Sequence, residues 1–318
     1  MAPKLRIAAV RLAHLAGVLL GVSFLVYVLL DLLPGDTAEV IVASSSNPTE
    51  GAVEEIRRQL GLDQPLLVRY FQWLGDALTG NLGVSFRTGQ QVVDAIGERL
   101  PVTLELLILA EVISLAIAVP LAVAAAKRRD TKFDRGTAVV TFGLQSIPNF
   151  VVALVMIVVF SVTLGWLPAI GYVPLEEGLG ANLESLIIPA VALASGLVPL
   201  YTRVLRNEMI RVLQEDFILV ARAQGLTSRT VLFRYALKPS LPTLVTVVGI
   251  NIGTLIGGTI IIELICGLPG VGTLLYSGIN NRDYVLVQGV ILFVAAAYVV
   301  ANFLVDMFYT FLDPRVSA

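Results

Sequence analysis

Between Asn207 and Lys238 the chain carries a polar stretch flanked by long apolar segments. Its centre reads Asp216-Phe-Ile-Leu-Val-Ala-Arg-Ala-Gln-Gly-Leu226. Asp216 is placed to cap a helix bearing Ile218, Leu219 and Val220, and Gly225 supplies the permissive backbone that ends it. Thr227 and Ser228 then offer caps for a second helix with Val231, Leu232 and Phe233. Pro239 and Pro242 mark the start of the next apolar segment. The expected product is a helix–glycine–helix elbow with apolar and basic faces. Such an elbow either lies on a membrane surface as a connection or hands a displacement to a soluble partner.

Almost everything around this stretch is lipid-soluble. Hydrophobic residues make up 56% of the 318 residues and charged residues 14%, and the mean hydropathy is +0.84. Soluble domains carry about 25% charged residues, so lipid is the expected solvent. A net charge of −2 gives no electrostatic support for binding nucleic acid. The single cysteine, Cys266, has no partner for an intrachain disulfide and reads as a small buried hydrophobe. The single histidine, His14, lies in an apolar run with no other ligand at metal-binding spacing, so no metal site is expected.

About 20 apolar residues span a bilayer as a helix. Six stretches qualify, at 7–32, 101–126, 136–164, 185–205, 241–264 and 285–312. The expected class is an all-α integral membrane protein with six transmembrane helices. The first stretch has the basic start of a signal peptide (Lys4, Arg6, Arg11), but its apolar core is longer than an h-region and no small-residue cleavage site follows. It is read as a retained helix. With both termini inside, sixteen of the 22 basic residues fall on inner segments and six on outer ones. The positive-inside tendency fixes that orientation. Lys127-Arg-Arg129 is accordingly a topology anchor.

An extracytoplasmic insertion is expected at 34–99. Thr49 is placed to cap a short helix through Val53–Leu60 that Gly61 stops, and Gln64-Pro65 opens a second through Tyr70, Trp73 and Leu74. Gly80-Asn-Leu-Gly83 reads as a turn. Tyr70, Trp73, Leu66 and Leu67 suit a membrane interface. The insertion is either a solvated spacer or a docking cap for an outside partner.

Enzyme chemistry finds no foothold. None of the four lysines, Lys4, Lys127, Lys132 and Lys238, sits in a phosphate-binding Gly-Lys-Ser/Thr context. Neither a Gly-x-Ser-x-Gly elbow nor a His-Glu-x-x-His pair occurs. No catalytic residue and no cofactor or metal site is assigned.

The motifs resemble those of permease subunits of ATP-binding-cassette importers, in the B-type dipeptide/oligopeptide branch. The cytoplasmic motif of that family is matched at Ala221, Gly225, Leu237 and Pro242, with Leu219, Val220 and Tyr235 departing from its usual Glu, Ala and His. Ala221-Arg-Ala223 followed by Gly225-Leu226 is similar to the peptide branch. So are Pro34-Gly35-Asp36, Gly61-Leu-Asp63-Gln64-Pro65, Gly80-Asn-Leu-Gly83-Val-Ser85, Ser146-Ile-Pro148-x-Phe150, Pro269-Gly270-x-Gly272, Arg282-Asp283-Tyr284 and Asp313-Pro314-Arg315. Glu263, Asn302, Asp306 and Tyr309 also match, whereas Cys266 stands where an aromatic is usual. The resemblance runs in order along essentially the whole chain.

The resemblance implies a type I importer permease fold and a place in a heteromeric importer. That importer contains a second, homologous permease, two P-loop ATPase subunits that bind ATP and Mg, and an extracytoplasmic substrate-binding protein. It implies a bacterial plasma membrane location, with 207–238 as the cytoplasmic coupling loop. The ATPase-coupling residues would be Phe217, Ala221, Arg222, Ala223, Gly225, Leu226, Arg234 and Leu237. Polar residues at membrane depth are costly and face a cavity or a neighbouring helix. Gln145, Asn149, Asn251 and Glu263, with Pro148 breaking the third span, are therefore candidates for the translocation path, and Glu105 and Glu111 are similar in kind. Each serves equally as an interhelical hydrogen bond. Gly253-x-x-x-Gly257-Gly258 permits close helix packing. Cargo is either a di-/oligopeptide or, in related systems, nickel or another small solute. A self-sufficient secondary transporter or channel is the alternative of a different class.

Overall fold

Long apolar runs become helices because a helix satisfies its own backbone hydrogen bonds where lipid offers none. The computed structural model describes residues 3–32, 42, 51–59 and 63–312. The side chains of residues 3–14, 52, 56, 59 and 304–312 lie outside that description. Pro34-Gly35-Asp36, the Thr49 cap, Gly61 and Asp313-Pro314-Arg315 also lie outside it, as do the side chains of His14, Asp306 and Tyr309. The helices are α1 (Pro3–Asp31), α2 (Ala52–Gln59), α3 (Leu66–Leu78), α4 (Val92–Lys127), α5 (Lys132–Gln145), α6 (Asn149–Met156), α7 (Leu179–Val212), α8 (Asp216–Ala223), α9 (Ser228–Thr230), α10 (Lys238–Cys266), α11 (Val271–Asn280) and α12 (Tyr284–Leu312). Among the described residues there is no strand, only an isolated bridge between Val84 and Gln91.

Among the described residues, four helical stretches are long and apolar enough to cross a membrane by themselves, Val92–Lys127, Leu179–Val212, Ser228–Cys266 and Tyr284–Phe303. The span expected at 136–164 with a break at Pro148 comprises α5 and a second helical stretch that begins with α6 and runs to Thr163, bent by 92° at a short break. Pro148 is the cause. Its ring disfavours a helical residue before it and it has no N–H to donate, so the helix stops at Gln145 and restarts at Asn149 with Pro148 extended (φ −59°, ψ 139°). The expected 7–32 stretch falls on α1.

The chain divides into two compact units. The smaller holds residues 1–101 and 270–299. Its core is Val92, Ala95, Ile96, Val271, Leu286 and Val290, with Leu82 and Phe293 packed against it. Two motifs far apart in sequence meet here. The Ser85 hydroxyl donates to the buried Asp283 carboxylate, which also accepts from the Leu286 N–H at 3.2 Å and so caps α12. Tyr70 is buried. Its ring makes edge contacts with Phe24 and Tyr27 of α1, and its hydroxyl is 2.9 Å from Ser23. Arg69 adds an ion pair to Asp31 at 2.7 Å, so α3 is fastened to α1 while Leu67 and Phe71 stay exposed.

The larger unit, residues 102–269 and 300–318, is organised on α7. Two-thirds of the most apolar window of α7 is buried, against 28–39% for the other three single-helix spans. Leu186, Leu193, Tyr201, Leu205 and Met209 of α7 join Leu106 and Ala110 of α4 and Ile262 of α10 in one core. Gly196 lets α6 approach, since a Cβ there would lie 2.8 Å from Asn149 Oδ1.

Gly83 combines a positive φ of +92° with a tight site, where an added Cβ would lie 2.7 Å from Val285 Cγ1. Gly83→Ala is expected to destabilise the smaller unit by roughly 1–3 kcal/mol. In thermal unfolding of the solubilised protein, Gly83→Ala with Val285→Ala should lose less than the sum of the two single changes, because the second relieves the clash made by the first.

Candidate functional site

The elbow is built as its sequence dictates, with one correction. Helix α8 begins after Glu215, which is extended (ψ 148°) and makes no side-chain cap bond. Asp216 is already helical, so it opposes the positive end of the helix dipole from within the first turn instead of capping it. At the other end Gly225 has φ +78°. Its N–H donates to Arg222 O at 3.0 Å and Leu226 N–H donates to Ala221 O at 3.3 Å. That pair of bonds is a Schellman ending, which requires a residue comfortable in the left-handed region. Leu226 packs back with Ile218, Ala221 and Val231 in a small core of its own.

Thr227 caps the second arm, accepting from Thr230 N–H at 3.3 Å. Pro239 and Pro242 mark the entry into the next segment, and the arm reaches it without a break. Three α-helical residues lead into a π-helical segment, Val231–Leu237, and then into α10 without a break. Pro239 falls in the first turn of α10 and Pro242 inside it. The wider π turn just ahead of Pro239 relaxes the carbonyl ladder that a proline ring would otherwise strike. The second arm of the elbow is thus the start of a 39-residue helical stretch, Ser228–Cys266.

Burial sorts the expected coupling residues into two groups. Ala221 is buried at 3% exposure, and Leu226 and Leu237 are partly buried and hold the elbow to the body. Phe217, Arg222, Ala223, Gly225 and Arg234 are exposed, as are Leu219, Val220 and Phe233. An exposed apolar surface edged by arginines remains, at the tip of an element whose inner face is packed.

The path candidates are not gathered in one place. Gln145, Pro148 and Asn149 flank the 92° bend, Gln145 exposed and Asn149 half-buried. Asn251 donates to Val247 O on its own helix at 2.8 Å. Glu263 is fully buried and accepts from Thr103 Oγ1 at 2.7 Å. Glu105 accepts from Tyr172 Oη and Asn182 Nδ2, both at 2.9 Å. Burial, and then the Glu105 carboxylate, push the Tyr172 phenol up to about 12. Glu111 accepts from Tyr201 Oη at 2.8 Å.

Sequence reasoning missed one strong ion pair. Arg206 forks onto Asp134, with Nε and Nη2 each 2.5 Å from a carboxylate oxygen. Asp134 also accepts from Asp130 N–H at 3.0 Å, and Arg206 also donates to Asn207 Oδ1 at 3.0 Å. Asp134 sits between Lys132 and Arg135, so it reads in sequence as part of a charge run. The available signal was the Thr131-x-x-Asp134 spacing of a helix start.

Comparison with known proteins follows the same outline. Residues 118–318 match the family described as binding-protein-dependent transport system inner membrane component, and residues 4–107 match the N-terminal component of such systems. A Brucella abortus (strain 2308) protein named as a peptide transport system permease protein is 42% identical over 306 residues, covering 96% of this chain and 97% of that one. The oligopeptide transport system permease protein AppB of Bacillus subtilis (strain 168) is 34% identical over 303 residues, covering 94% and 95%. Among solved structures, an inward-facing methionine ABC transporter, MetNI, matches with a TM-score of 0.58 at 20% identity, covering 69% of this chain and 96% of that one. The shared fold is that of a type I importer permease.

Valine is β-branched and poorly tolerated at positive φ. Gly225→Val is therefore expected to weaken the elbow by roughly 1–3 kcal/mol. Amide hydrogen exchange should then quicken across Asp216–Leu226 and leave α7 unchanged, whereas Gly225→Asn should show a smaller effect.

Proposed function

The chain belongs to the family of binding-protein-dependent transport system inner membrane components, and we propose that it is the non-catalytic permease subunit of an ATP-driven importer of di- or oligopeptides. It forms half of a translocation path with a homologous second permease. Two P-loop ATPase subunits bind ATP and Mg on the cytoplasmic side, and an extracytoplasmic binding protein delivers the solute. The chain lies in a bacterial plasma membrane with both termini cytoplasmic. The bias of basic residues toward the loops Lys127–Arg135 and Arg203–Lys238 supports that orientation. The names carried by relatives at 42% and 34% identity support the peptide cargo.

One observation carries the coupling role: the elbow is exposed at its tip and rigidly joined at its base. Phe217, Val220 and Arg222 are free to enter a groove on an ATPase. Ile218 and Ala221 pack on Val231 at the root of the stretch that continues as α10. A push on α8 is therefore delivered to a membrane-crossing helix instead of being absorbed by a loop. That is the requirement for converting closure of an ATPase pair into a shift between packed helices. Gly225 keeps the tip narrow.

Gly225→Asp should leave a complex that assembles and hydrolyses ATP while peptide uptake falls about tenfold or more, the effect of about 1.4 kcal/mol lost at a contact. The measurement is uptake per ATP hydrolysed in proteoliposomes holding all subunits. Undiminished uptake by this variant would remove the elbow from the coupling path. Purification from the native membrane in mild detergent should bring down a second permease and P-loop ATPases. Recovery of a stable homo-oligomer alone would favour a self-sufficient transporter or channel.

A further inference from the structure

A cleft of about 330 Å³ opens between α5 and α7 in the larger unit. It is bordered by Asp134 and Arg206, which neutralise each other through their forked pair. Asp130, the other carboxylate on its rim, pairs with Arg129 at 3.2 Å. Two further cations line the cleft, Arg135 and Arg203, and both are exposed. Neither has an ion-pair partner among the described residues; Arg203 only lies over the Phe142 ring at 5.9 Å. Thr202 also lines the cleft. It is 2% exposed, and its hydroxyl has no hydrogen-bond partner among the described residues. A buried hydroxyl left without a partner is unfavourable. The lining therefore holds an excess of positive charge and an unused hydrogen-bonding group.

The surroundings say what kind of anion fits. Arg135, Val139 and Phe142 follow at helical spacing along one side of α5. Val139 is 71% exposed and Phe142 58% exposed. Charge at one end thus gives way to bare apolar surface along the helix, the complement of an amphiphile. The cleft runs along α5 from Asp130 to Gln145 and faces residues 199–207 of α7; its basic residues lie toward the start of α5 and at 203–206, at the ends of the apolar runs of these helices. This is headgroup depth, and basic pockets between transmembrane helices at that depth bind acidic lipid headgroups.

We propose that this cleft holds the headgroup of an anionic phospholipid, with Arg135, Arg203 and Thr202 on the phosphate and the acyl chains along Val139 and Phe142. Its lining touches the 207–238 stretch only at Asn207 and the path candidates only at Gln145, and it includes none of the coupling residues. It stands whatever the cargo is.

The test uses the full chain with the subunits that purify with it, stripped of lipid by detergent exchange. Short-chain phosphatidylglycerol, phosphatidylcholine and inorganic phosphate are each titrated in while thermal unfolding is followed, and native mass spectrometry counts the lipids retained. Phosphatidylglycerol should be retained and raise the unfolding temperature, and phosphatidylcholine should do neither. R135Q/R203Q should weaken phosphatidylglycerol binding about thirtyfold, and R135K/R203K should keep most of it. Equal responses to the two lipids, or no loss in the glutamine variant, would overturn the proposal. A full response to inorganic phosphate alone would overturn the lipid as its source. The wild-type comparison of the two lipids decides the matter even if the glutamine variant fails to assemble.

Discussion

A carboxylate inside an apolar bundle is tolerable only when donors meet it, and the larger unit is pinned together at the places where this happens. Helix α7 supplies the donors. Asn182 reaches Glu105, Tyr201 reaches Glu111 and Arg206 reaches Asp134. The first two acceptors are on α4 and the third is on α5. Three separate levels of one helix are thus tied to its neighbours, and each bond has a fixed partner. Between them Leu186, Leu193 and Leu205 are nearly or fully buried. Apolar packing alone is weakly directional in lipid, because lipid tails are as apolar as the side chains. The polar bonds set the register in which the helices pack.

The same accounting governs the interruptions. Where a helix stops, its terminal N–H and C=O groups need other partners. At Gly225 the Schellman bonds supply them. At the start of α12 Asp283 does so while also holding Ser85. At Pro148 the missing N–H removes a donor, and the chain uses the break to turn through 92°. Each interruption is therefore a built joint. The elbow is the joint with exposed surface at its tip, which is why a coupling role suits it.

In this light the polar residues of the bundle divide by partner. Glu105, Glu111, Glu263 and Asp134 have theirs within the unit, so they hold helices in place. Gln145, Arg135 and Arg203 sit at the rim of an open cleft, and these are the groups free to meet something from outside. Residue type does not separate the two sets; the position of the neighbouring helix does.

The sequence by itself determined the class, the break at Pro148 and the Gly225 elbow, because these follow from local rules. Apolar length, the absent proline N–H and the freedom of glycine at positive φ each act within a few residues. The whole-chain motif order made the family legible as well. The tertiary structure alone decided that α7 is the buried helix of the larger unit, that Tyr70 packs on α1, and that the helix after Thr227 runs through its prolines into α10. It also decided that Asp134 belongs to Arg206 and not to the basic run around it. Those outcomes depend on which surface lies opposite, 72 residues away in the last case. A pairing over that distance is set by how helices pack, and no local pattern encodes it.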